Sequence, residues 1–369
     1  KVEKMKFSTT KNNIINELGL LQGIVEKRTT MPILSNVLIK AYKGRVELMG
    51  TDLEVGLKTY FEAEVRQEGK AAVNGRKLFD FIKLLPEEPE IEFIKKEEHL
   101  VVRSGESEIK ILTAPEEDFP AIQDSSFDKA ISWNVTDFKE MIDCVLYAIT
   151  QEQRYYLNGA LLSLKNNQLE LVSTDGHRLS YTKREFEGLK VEKEINQIIS
   201  KKTLNELKKF DDERLEFDFD DNSLFFRVNN RMLISRIIES KFPNYQAVMP
   251  KDNPNILTIE KEALVTAIRR VAILSSEKSK GIKFDLKAGE LKLFSSNPEF
   301  GEARDKLAVD YQGKDLEIGF NSQYLLDFLG TVTSDRVVFE IKDENSAVLI
   351  KPEAEPKGTY LYVLMPMKI

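Results

Sequence analysis

The chain has 369 residues, 41% of them apolar and 31% charged, with a formal net charge of −7. That length exceeds one ordinary hydrophobic core and fits about three domains of roughly 100–150 residues, while the composition excludes a disordered chain. The acidic balance argues against a protein that coats nucleic acid with its whole surface, although it leaves room for a basic inner face on an acidic body.

A single cysteine, Cys144, excludes an internal disulfide framework, and its place on the apolar side of a helical pattern predicts a buried thiol. No run approaches the roughly 20 apolar residues that span a bilayer, and the opening residues lack the apolar core of a signal peptide. A cytoplasmic protein with no membrane partner is expected.

In chain order, apolar residues first fall on one helical face at Ile14, Ile15, Leu18, Leu21 and Val25. Short alternating strands follow, such as 37–39 and 46–48, then a second helical pattern at Leu78, Ile82 and Leu85, then strands at 91–93 and 100–102. The same series returns twice. Its first helices are marked by Phe138, Met141, Ile142, Val145, Leu146 and Ile149, and by Leu264, Ala267, Ile268 and Val271. Its second helices are marked by Leu204, Leu207 and Phe210, and by Leu325, Phe328 and Leu329. Gly- or Asn-bearing turns at Lys43-Gly44, Asn166-Asn167 and Ala288-Gly289 join the strand pairs. A local pattern also recurs: Gly50-Thr51-Asp52-Leu53-Glu54, Ser173-Thr174-Asp175-Gly176-His177 and Ser295-Ser296-Asn297-Pro298-Glu299.

The chain therefore reads as one unit written three times, with domains at 1–125, 126–252 and 253–369. The fold class is α+β, each domain setting two helices against antiparallel sheets, because few connections are long enough for parallel crossovers. No low-complexity linker separates the units, so they should pack edge to edge.

Catalytic marks are missing from the sequence. Two histidines, His99 and His177, and one cysteine cannot supply an ordinary structural zinc site, and no phosphate loop, dinucleotide fingerprint or nucleophile elbow occurs. No cofactor, metal or catalytic residue is expected. Asp175 beside His177 can be drawn as an orienting acid and a base, the centre of a hydrolase, but Asp-Gly is first a turn signal. Basic residues recur on the helical patterns at Arg28, Arg76, Lys77, Lys83, Lys201, Lys202, Lys208, Lys209, Arg269, Arg270 and Lys278. They read either as ordinary solvated faces or as a shared lining, one made uneven by Asp327 in the last helix.

Residues 154–159 (Arg-Tyr-Tyr-Leu-Asn-Gly), 174–179 (Thr-Asp-Gly-His-Arg-Leu), 242–245 (Phe-Pro-Asn-Tyr) and 365–369 (Met-Pro-Met-Lys-Ile) closely resemble the bacterial DNA polymerase III β subunits, the sliding clamps. Residues 31–34, 50–54, 118–120 and 272–275 extend the resemblance over essentially the whole chain.

The resemblance implies the DNA clamp fold, in which two three-domain subunits join head to tail as a closed homodimeric ring. Twelve helices spaced by about 10 Å would enclose a hole of about 28 Å, wide enough for duplex DNA. It further implies a processivity factor without catalytic activity, holding double-stranded DNA independently of sequence through a diffuse, salt-sensitive lining. Arg28, Arg76, Gln151, Tyr155, Tyr156 and Lys201 are the implied DNA contacts.

A groove of Leu157, Thr174, Gly176, His177, Arg178, Leu179, Pro243, Val248, Val363, Leu364, Met365, Pro366 and Met367 is implied to take peptides from the DNA polymerase III core, other polymerases, the clamp loader and repair proteins. At its rim Ala247 stands where many members carry Arg, which leaves peptide preference open. Ile109 and Ile111 against Ile273 and Leu274 are the implied dimer contacts. The loader is expected to use ATP, for which this chain has no site. A repeat scaffold unconnected with DNA is the remaining alternative.

Overall fold

The computed structural model describes residues 3–26, 30–150, 157–186, 191, 194–211, 214–355 and 357–369. The described chain runs strand, helix, three strands, strand, helix, three strands, and does so three times, with one short additional strand in the first and third copies. The helices are α1 (Lys11–Leu21), α2 (Gly75–Leu84), α3 (Val135–Leu146), α4 (Lys201–Leu207), α5 (Lys261–Ala272) and α6 (Ser322–Leu329). The apolar spacing foresaw all six, and the residues that marked them are buried apart from Ile15 and Leu146, which are half-buried. It missed the strand that opens each copy, Glu3–Thr9, Ile131–Asn134 and Asn255–Glu260, because each runs straight into its helix with no turn residue between them.

Asparagine side chains cap the starts of α2 and α6. Asn74 accepts the Lys77 N–H at 3.0 Å, and Asn321 accepts those of Gln323 and Tyr324 at 2.9 and 3.2 Å. The repeat also shows where helix meets sheet. The Ser173 hydroxyl donates to the Val145 carbonyl and that of Ser295 to the Val271 carbonyl, both at 2.6 Å. At the corresponding Gly50 an added Cβ would lie 2.9 Å from Leu21. All three positions need a small residue because the first helix of the copy lies directly on the strand.

Two compact units emerge, and neither coincides with a single repeat. The first comprises Lys1–Thr136 with Lys202–Ile237 and holds a continuous antiparallel sheet of thirteen strands; the second comprises Asp137–Lys201 with Ile238–Ile369 and holds sheets of nine and four strands. The reason is strand pairing between copies. In the first unit Val55–Glu62 pairs with Arg231–Arg236, setting Leu57 opposite Leu233. In the second, Arg178–Glu185 pairs with Thr359–Leu364, setting Leu179 opposite Val363. These are the edge-to-edge junctions expected of neighbouring repeats, and they divide the middle repeat between the two units.

Polar side chains fix each junction. Arg231 straddles the carboxylate of the buried Glu17 on α1 at 2.6 and 3.0 Å, and Glu17 also accepts from Thr59 at 2.5 Å. In the second unit the Tyr147 hydroxyl lies 2.9 Å from that of Tyr360 and donates to Ser180 at 3.2 Å. Cys144 lies beside this group, buried as expected, and desolvation pushes its thiol up to about 12. The thiol therefore stays protonated and packs as an apolar group.

Candidate functional site

The turn Thr174–Arg178 shapes a largely apolar cavity of the second unit. The Thr174 hydroxyl donates to the Arg178 carbonyl at 2.6 Å and accepts the Gly176 N–H at 3.1 Å, while Asp175 Oδ1 accepts the N–H groups of His177 and Arg178 at 3.0 and 3.1 Å. Gly176 sits at φ +90°, where a side chain would be strained, and an added Cβ there would meet nothing within 4 Å.

The carboxylate of Asp175 is taken up by this turn and by Arg178 Nε at 3.0 Å, and it meets His177 only through the backbone. That geometry builds a loop and does not orient an imidazole for acid–base work.

The cavity, of about 300 Å³, is lined by Leu157, Thr174, Gly176, His177, Arg178, Leu179, Pro243, Asn244, Tyr245, Val248, Val363 and Met365. Ten of the thirteen expected groove residues thus converge. Leu364 does not line it, because the strand alternation turns its side chain into the core. Pro366 and Met367 lie beyond the lining, where the chain leaves to run along another strand: Met365 N–H donates to the His177 carbonyl at 3.0 Å and Met367 N–H to that of Gly319 at 2.9 Å.

Asn244 and Tyr245 were missed as lining residues, although the Phe-Pro-Asn-Tyr segment that carries them stood out in the sequence. Tyr245 donates to Glu170 at 2.9 Å, and burial together with that carboxylate pushes its hydroxyl up to about 12.

Arg178 differs from the other lining residues. Its side chain is almost wholly buried, and its guanidinium contacts Asp175, Asp327 at 2.7 Å and the Tyr147 carbonyl at 2.6 Å, and lies 4.1 Å from the centre of the Tyr324 ring. Burial alone would disfavour the charge, but Tyr362, Asp327 and Asp175 outweigh it and raise the pKa. Asp327, which made the basic pattern of the helices uneven, is therefore the counter-ion that ties α6 to the turn.

Among the expected DNA contacts, Arg28, Gln151, Tyr155 and Tyr156 lie outside the described residues. Arg76 is exposed on α2 and pairs with Asp80 at 3.1 Å. Lys201 is half-buried, with its ammonium 3.3 Å from the Ile149 carbonyl, and burial and then Arg178 lower its pKa. Lys202, counted with the basic helix residues, is held by Asp52 and the Ile24 carbonyl.

The expected dimer residues fall on one strand and a helix end. Ser107–Ala114 pairs along one side with His99–Ser104, but on its other side, among the described residues, only Thr113 and Ala114 are paired, so its first part is an open edge. On it Ile109 is half-buried and Ile111 buried, both turned towards their own core, while Leu112 is 67% exposed. Ile273, just past α5, is 78% exposed rather than packed in the core, and Leu274 is half-buried. Gly301–Ala308 is one of the two edge strands of the four-stranded sheet in the second unit, the other being Leu316–Asn321.

Three family models match in succession: the DNA polymerase III beta subunit N-terminal domain at residues 5–123, the central domain at 133–244 and the C-terminal domain at 246–368. The beta sliding clamp of Pseudomonas putida is 35% identical, over 99% of this chain and 100% of its own length, and that of Proteus mirabilis 33% with the same coverage. Among solved structures, the DNA polymerase III subunit beta of Pseudomonas aeruginosa superposes with a TM-score of 0.94 at 33% identity over 99% of this chain and 100% of that one. A sliding clamp from Bartonella birtlesii bound to griselimycin does so with 0.94 at 32% and the same coverage. The chain belongs to the DNA polymerase III beta subunit family, the beta sliding clamps.

Proposed function

We propose that this chain is a processivity clamp: two copies close head to tail around duplex DNA, and the cavity beside Gly176 docks short segments of polymerases, clamp loader and repair proteins. The observation that carries this reading is the unfinished symmetry of the junctions. Of three quasi-equivalent strand junctions, two are made within the chain. The strands that would make the third, Gly301–Ala308 and Ser107–Ala114, keep open edges at opposite ends of the repeat series. Equal rotations joined head to tail close on themselves, and a second copy supplies the missing edge at both ends.

Carried over by the repeat, the register sets Ala303 across from Ile109 of a second copy and Gly301 across from Ile111. Exposed apolar side chains are available beside it, among the charged residues of the two strands: Ile273 and Phe300 on one unit, 78% and 72% exposed, and Leu84 and Leu112 on the other, 85% and 67% exposed. Such edges invite aggregation unless a partner strand covers them.

The domains in this reading are residues 1–125, 126–252 and 253–369. Arg76, with Arg28, Gln151, Tyr155, Tyr156 and Lys201, would meet phosphates without reading bases, and retention would come from topology rather than affinity. The clamp has no catalytic step of its own and works in the cytoplasm.

The test is retention after loading by a clamp loader with ATP. The clamp should remain on nicked circular DNA and leave quickly once the circle is cut to a line; equal loss from both would sink the reading. In solution the 42.3 kDa chain should sediment as a dimer.

A further inference from the structure

The cavity beside Gly176 has a quasi-equivalent in the first unit. There Thr51–Val55 forms the same turn: the Thr51 hydroxyl donates to the Val55 carbonyl at 3.0 Å, and Asp52 Oδ1 accepts the N–H groups of Glu54 and Val55 at 3.0 and 2.7 Å. Most lining positions correspond, with Pro120 in place of Pro243 and Ile234 in place of Val363, although Gln123 and Ser223 line only the first cavity and Leu157 and Val248 only the second. Yet this cavity encloses about 200 Å³ against about 300 Å³ in the second unit.

The clearest difference is one residue. Leu53 occupies the position of Gly176 and takes the same left-handed backbone, at φ +77° against +90°. A branched side chain at positive φ is strained, and glycine would relieve it. Leu53 nevertheless lines the cavity while remaining 43% exposed, at the position where Gly176 leaves open space. Backbone strain of this kind persists where the surroundings impose it and often marks a functional constraint.

We infer that Leu53 is a plug: its side chain closes the first of two quasi-equivalent docking grooves, so that each subunit presents one groove to its clients. The inference rests on the docking reading above. Leu53 then decides the number of sites per chain, and Gly176 decides which of the two turns stays open.

Calorimetric titration of the full-length protein with griselimycin, the ligand in the Bartonella birtlesii clamp structure, tests it. The wild type should take one molecule per chain, Leu53→Gly two with the second bound more weakly, and Gly176→Leu none or at least tenfold more weakly. Leu53→Asn, which also tolerates positive φ but carries a shorter side chain, should open the second site in part and serves if the glycine variant is poorly folded. A wild type that takes none would overturn the docking reading itself. A wild type that takes one, with both Leu53 variants also taking one, would overturn only the plug, as would wild-type affinity in Gly176→Leu.

Discussion

The guanidinium of Arg178 lies 2.7 Å from the carboxylate of Asp327, joining the turn of the second repeat to the last helix of the third. The first unit makes the corresponding connection with the charges reversed, since Asp52 of its turn is held by Lys202 of α4. Each junction thus carries an ion pair between a turn and the second helix of the next repeat.

Removing Arg178 strands Asp327 and releases the turn from α6. Arg178→Ala should cost about 3–5 kcal/mol, whereas Asp327→Asn, which leaves Asp175 in place, should cost about 1–3 kcal/mol. Urea denaturation reads both. Because the turn forms one wall of the cavity, both variants should also bind griselimycin more weakly, and unchanged affinity would show that the turn holds its shape without the pair.

Glu17 and Arg231 make the corresponding prediction for the first unit. Glu17 is nearly enclosed and accepts from both Nε and Nη2 of Arg231 as well as from Thr59. Glu17→Ala should destabilise the chain by about 3–5 kcal/mol, and a cost under about 0.5 kcal/mol would show that the junction rests on apolar packing alone.

Ile273 should behave oppositely. Its side chain is largely exposed in the single chain, so Ile273→Glu should change the stability of the monomer by less than about 0.5 kcal/mol. Buried in a closed interface, the same carboxylate would be unpaired, and sedimentation should shift from dimer to monomer. A variant that stays dimeric would place the interface elsewhere.

Acid should loosen the second unit at Glu140. Burial opposes its ionisation, but Lys357 at 2.7 Å and Arg184 at 2.8 Å outweigh it and hold the carboxyl below its ordinary value of 4.5. A depressed folded pKa means that this contribution is present above about 4.5 and is lost as pH falls through the folded value. Partial exposure limits it to about 0–1 kcal/mol. Glu140→Gln should therefore be the less stable protein at neutral pH, with the difference shrinking in acid; a difference that persists at the lowest pH would have another cause.

The turn of the candidate site was legible in the sequence because its signal is local, whereas the other groove residues came only from the resemblance. Asp175-Gly176 reads as a turn wherever it lies, and Gly176 is the residue that tolerates the backbone found there. The misses came from alternation and exit direction. Leu364 sits beside lining residues but turns inward, and Met367 follows them but pairs with Gly319. A one-residue phase or a change of strand partner cannot be read from composition.

The six helices, the threefold repetition and the buried thiol followed from the sequence alone, since periodicity of 3.6 and 2 residues and the placing of turn residues are properties of short segments. Tertiary structure decided which strands join one repeat to the next, that Asp327 serves Arg178 instead of interrupting a basic lining, and that Leu53 and Gly176 face equivalent cavities. Those facts depend on residues more than a hundred positions apart reaching hydrogen-bonding or van der Waals distance, and chain closure on that scale is set by the packed whole.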